Sequence, residues 1–129
     1  MREKTQLLIG VSNREEAMAR ILSRSNFNEG TVLHAHRAAA SALAAVLAEH
    51  DRAHASGLCS ELCDMLRAHG AGPPDAAAKA AETLDALLGK LDAVSENRAP
   101  SDACDAKVSS VALECARRIR GFVNTALTG

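Results

Sequence analysis

Residues 49–63 read EHDRAHASGLCSELC, in which His50, His54, Cys59 and Cys63 are spaced H-x3-H-x4-C-x3-C. Imidazole nitrogen and thiolate sulfur are the donors a tetrahedral zinc ion prefers. A spacing of four on a helix stacks two side chains on one face, so each pair can address one ion. The same residues also finish apolar helical stripes. Histidine suits a half-buried helix end, and cysteine fills small gaps beside alanine. Structural zinc sites usually carry tighter knuckles such as C-x2-C, and none occurs here. The reading adopted is core, with no metal and no cofactor. Zinc on His50, His54, Cys59 and Cys63 is the alternative, and a zinc-dependent melting temperature would reveal it.

Other candidate chemistry is thinner. A nucleophilic Cys59 beside His54 would need an electropositive setting, and Asp51, Glu61 and Asp64 oppose one. His36 in LHAHRAAASAL could accept a phosphoryl group on a bundle helix. Phosphotransfer histidines are followed by Lys and Gly, whereas Ala39, Ala40 and Ser41 follow here. His36 therefore reads as a core histidine with its polar atoms satisfied. The stretch ENRAPSD, residues 96–102, is more informative. Pro100 disfavours a helical Ala99 and breaks the chain between two helices. Loops at such junctions are where bundles carry function. The planar fork of Arg98 suits phosphate. Asn97 would orient it, with Arg117 and Arg118 as further phosphate contacts. The competing account pairs Arg98 with Glu96 or Asp102 on the surface.

Five helices must position these residues, and the periodicity shows no strand. The first is expected from Ser12, where SNRE forms a capping box closed by Glu15. Ala17, Ile21 and Leu22 would then face inward, and residues 1–11 would be irregular. A second helix is expected over 31–54, with His36, Ala40, Leu43, Leu47, His50 and His54 as its core stripe. A third, capped by Ser56, runs to about His69, so that helices two and three form a hairpin around residues 55–57. GAGPP stops it. A fourth starts at Asp75. The loop 95–101 follows, then a last helix from Ser101 or Asp102 carrying Cys104, Val108, Val111, Cys115, Ile119, Phe122 and Leu127. Short connections between long helices imply an all-α, antiparallel up-and-down bundle, one domain over residues 1–129.

Composition narrows the partners. The chain has 129 residues, 47% of them apolar and only 2% aromatic, so its core is built from Ala, Leu and Val. Such small side chains hide little area each, so a partner subunit is expected to help. A net charge of −1 gives no global attraction to nucleic acid or membrane. The apolar run near the start is too short for a signal peptide or a membrane span. A cytoplasmic protein with reduced, buried cysteines is expected.

The order of these pieces resembles the HEPN family. HAHRAAASALAAVLAEH is similar to that family's long alanine-rich helix, and LCSELCDMLRAHG to the short helix after it. LDALLGKLDAV, an Arg followed closely by Pro, and KVSSVALECARRIRGFVNTAL continue the likeness, which covers about residues 13–127. The resemblance implies an antiparallel bundle, often dimeric, and either a nucleotidyltransferase partner or a ribonuclease, frequently in toxin–antitoxin systems. Arg98 stands where ribonuclease members carry the Arg that a His follows four to six residues later. Residues 99–105 here read APSDACD, without histidine. Cleavage of RNA needs a general acid or base at the 2′-hydroxyl, so an enzyme is not expected. The expected role is a homodimeric module that binds a nucleotide phosphate, or the helical partner of a nucleotidyltransferase or toxin–antitoxin system. The alternatives are a metal-independent ribonuclease acting on RNA and a ligand-free interaction bundle.

Overall fold

The structure, a computed structural model, describes residues 1–52, 57–97 and 104–129, and for 93–97 the helical backbone alone. It is an all-α bundle of five helices: α1 (Glu3–Arg24), α2 (Asn28–Glu49), α3 (Cys59–Ala68), α4 (Asp75–Asn97) and α5 (Ala106–Thr128). α2 lies at the centre. Its alanines other than Ala40, with Val32, Leu43, Val46 and Leu47, are buried almost all round the helix. A helix apolar on every side belongs inside a core. By length and composition α2 is apolar enough to cross a membrane, but 72% of that window is buried within the bundle.

α1 begins at Glu3, nine residues before the expected start. The carboxylate of Glu49, at the end of α2, supplies what the local sequence lacks. Its Oε1 accepts the Arg2 backbone N–H at 2.9 Å and the Thr5 hydroxyl at 3.0 Å. Ser12 is no cap. It is buried inside α1 and donates its hydroxyl to the Ala38 carbonyl of α2 at 2.7 Å. The inward face of α1 is thus Thr5, Ser12 and Ala19, spaced by seven. Ala17 and Ile21, expected inside, are exposed. Small residues win this face because they allow the close helix approach that the Ser12–Ala38 bond requires.

Three helices end in the same way. After α1, α2 and α3, the residues Asn26, Asp51 and Gly70 adopt left-handed φ values of 62°, 57° and 73°. Each places paired backbone bonds onto the last turn, such as Ala71 N–H to Leu66 and Gly70 N–H to Arg67 after α3. This Schellman geometry satisfies orphan carbonyls and reverses the chain. It ends α2 at Glu49 rather than His54. The turn after α1 folds it antiparallel to α2, so close that a Cβ on Gly30 would lie 2.9 Å from Leu22 Cδ1.

α4 begins at Asp75, as expected, and continues through Asn97. α5 starts at Ala106, where Asp105 caps it by accepting the Val108 N–H at 3.0 Å. α5 runs beside α2 in the same sense. Ser109 donates to Asn28 Oδ1 at 2.7 Å at one end, and Val123 shares a groove wall with Ala42 near the other. Its buried face is Ser109, Ala112, Cys115, Ala116, Ile119 and Val123, while Val111 is exposed. All four cysteines are free and buried.

The orientation of α1 is testable by size. Ala19→Leu should cost about 1–3 kcal/mol by overpacking, whereas Ala17→Leu should stay within about 0.5 kcal/mol of the parent. Urea unfolding of both variants measures this.

Candidate functional site

The residues expected to act are not gathered at one point. Asn97 is the last residue of α4, and Arg98 lies outside the described residues. Arg117 and Arg118 share one carboxylate. Arg117 grips Glu114 with two bonds, 2.8 and 2.6 Å, and Arg118 Nε donates to it at 3.2 Å. Those hydrogen bonds hold the Glu114 carboxyl down at about 2. The two arginines nevertheless line different grooves.

Arg117 lines a groove of about 460 Å³ against α1, with Arg20, Arg120 and Glu16. Arg120 is already committed there. It pairs with Glu16, donates to Asn13, and reaches Ser12 Oγ at 3.1 Å. Its role is to tie α5 to α1. Arg118 lines a second groove, of about 570 Å³, between α4 and α5. Lys79, Lys107, Thr83 and Ser110 share its wall, and Glu114 is the acidic residue among its lining. Lys79 and Lys107 carry no local signal in sequence, because the two helices bring them together only by packing.

The His/Cys stretch is also rearranged. His50 is the C-cap of α2, and His54 lies outside the described residues. Cys59 begins α3 beside His36, 14 positions back from His50 along α2 and so about 20 Å away at 1.5 Å per residue. The expected meeting of His50 with Cys59 at one end of a hairpin is therefore not formed. Cys63 is buried one turn further along α3, and burial raises its thiol to about 11.

In its place the structure assembles His36, Cys59 and Asp85. Asp85 of α4 receives His36 Nε2 at 2.8 Å and the Cys59 backbone N–H at 2.9 Å on Oδ1. On Oδ2 it receives the Ser60 N–H at 2.9 Å and the Ser60 hydroxyl at 2.6 Å. Leu58, the N-cap residue of α3, has no side-chain acceptor, so the first N–H groups of α3 are capped from another helix. Burial opposes ionisation of Asp85, but the hydrogen bonds from Ser60, His36 and Cys59 together outweigh it and lower its pKa.

This trio is not a nucleophilic relay. Cys59 Sγ sits 3.7 Å from His36 Nε2, the same nitrogen that meets Asp85. A relay needs the carboxylate on the opposite ring nitrogen. Burial, with Asp85 adding to it, also drives the Cys59 thiol far above its ordinary range. The sequence reading of His36 as a buried histidine with a polar partner matches this environment. Asp85 went unrecognised because a single Asp one position from the buried Leu84 reads as a surface residue.

No protein-family model and no curated protein sequence matches the chain. Solved structures do. TT1696 from Thermus thermophilus superposes with a TM-score of 0.85 over 97% of this chain and 99% of its own, at 17% identity. ST0689, an archaeal HEPN homologue, gives 0.76 over 97% and 98%, at 19% identity. The fold is HEPN-like. At such identities the likeness concerns the fold alone. The α4–α5 groove is lined on α4 by Ala76, Lys79, Ala80 and Thr83, in the half of that helix away from Asn97.

Asp85 makes a pH prediction. Its folded pKa lies below the ordinary carboxylate value, so its contribution is present above about pH 4 and is lost as pH falls through the folded pKa. Asp85→Asn should cost about 2 kcal/mol at neutral pH, from lost caps and a weakened buried bond. The gap between variant and parent should close in acid, as read by urea unfolding across a pH series.

Proposed function

We propose that this chain is a non-catalytic HEPN-like module that binds the phosphate of a nucleotide in the α4–α5 groove. One observation carries the reading: Lys79, Lys107 and Arg118 line a groove in which Glu114 is the acidic lining residue. Three cations facing one carboxylate leave an excess of positive charge on a chain whose net charge is −1. Arginine and lysine at such a surface recognise phosphate by charge-assisted bonds. Arg98 and Asn97 stay in this reading as phosphate contacts expected from the sequence alone, and Arg117 lies on the neighbouring face.

The segment 99–105 holds no histidine, which supports binding over cleavage of RNA. A module of this kind acts as the helical partner of a nucleotidyltransferase or of a toxin–antitoxin pair, in the cytoplasm. Association into a homodimer is supported by α1, whose Leu7, Met18 and Ile21 are exposed at 65%, 43% and 54%. Those three recur on one helical face.

ATP binding by titration calorimetry tests the phosphate reading. Lys107→Glu, Arg118→Glu and Arg98→Ala should each weaken binding about tenfold, the loss of one charge-assisted bond. Binding should also weaken as salt rises. Structured RNA should stay intact with every variant. Binding indifferent to all three substitutions rejects the groove, and cleavage that depends on Arg98 replaces this reading with a ribonuclease. Sedimentation should separately show a dimer for the parent and a monomer for Leu7→Glu/Ile21→Glu.

A further inference from the structure

Three helices each send one metal-ligating side chain to a single buried point. His36 of α2, Cys59 of α3 and Asp85 of α4 present ligand atoms that all lie within 4.8 Å of one another. We propose that this trio is a binding site for one thiophilic divalent cation, zinc in chemical class, with water as the fourth ligand.

The donor set selects the ion. Nitrogen and thiolate donors suit zinc and cobalt and exclude magnesium and calcium, which take oxygen. Charge also balances. A Cys59 thiolate and the Asp85 carboxylate neutralise a dication, so the buried site carries no net charge. Bonds of about 2.0–2.3 Å place tetrahedral ligands about 3.3–3.8 Å apart. The His36–Cys59 separation of 3.7 Å already fits. The His36–Asp85 separation of 2.8 Å must open by about 0.5 Å as the ion takes the place of that hydrogen bond.

The outer contacts fit the same role. Ser60 grips Asp85 Oδ2 through its N–H and hydroxyl, which aims Oδ1 at the ion. Cys59 is fully buried, while Asp85 retains 15% side-chain exposure and marks the route of entry. Binding ionises the Cys59 thiol, so at least one proton leaves per ion, and uptake rises with pH. His36 Nε2, which meets Asp85 without the ion, offers its lone pair to the ion once its proton has moved to Nδ1 or left.

The full chain, treated with chelator and then titrated with cobalt alone, tests this. The expected result is a thiolate-to-cobalt charge-transfer band that saturates at one ion per chain. It should vanish in Cys59→Ser, weaken about tenfold or more in affinity in His36→Gln, and persist in Cys63→Ser. Zinc alone should raise the melting temperature of the parent and of Cys63→Ser, but not of Cys59→Ser. Circular dichroism establishes that each variant is folded, and His36→Gln decides the matter if Cys59→Ser is not. A parent with no band and no zinc-dependent melting overturns the proposal, as does a band that survives both Cys59→Ser and His36→Gln.

Discussion

Helix α3 depends on a carboxylate that its own sequence does not contain. It has ten residues, shorter than the roughly 12–15 at which an isolated helix is even marginal in water. Its N-cap is Leu58, which has no acceptor in its side chain. Asp85 of α4 supplies the cap and at the same time holds His36 of α2. One side chain therefore sets the start of α3, its seat on α2 and the distance to α4. The carboxylate can remain ionised there because it accepts four hydrogen bonds.

A second constraint is the size of the core residues. α2 is rich in alanine, and its neighbours approach closely because little stands between the backbones. That closeness admits a side-chain-to-backbone bond between Ser12 and Ala38, and it selects Thr5, Ser12 and Ala19 as the inner face of α1. Bulky residues of α1 are displaced outward as a consequence. The exposed apolar face of α1 and the small-residue core are thus two sides of one packing choice. Polar residues complete the same seam, since Arg120 and Glu16 join α5 to α1 over Ser12.

The two candidate ligand regions arise differently. The α4–α5 groove is a surface feature, made where cations of two helices meet. The trio at the base of α3 is an interior feature, made where a cap, a buried histidine and a buried cysteine coincide. Arg118 was legible as a candidate cation from its type and place, and it lines the groove. Lys79 and Lys107 were not, because no spacing along the chain announces that two distant helices lie side by side. His36 and Cys59 were each legible as buried residues, and neither pointed to Asp85.

By itself the sequence determined that the described residues are helical, that they form five helices, and that GAGPP stops one of them. These follow from local physics: propensity, missing donors at proline, and the periodicity of apolar side chains. Only the tertiary structure decided which face of α1 and of α5 turns inward, where α1 and α3 begin, and which of the His and Cys residues meet. A cap borrowed from another helix leaves no trace at the helix it caps. When alanine lines the core, apolar bulk no longer marks the buried face, and fit between backbones decides it.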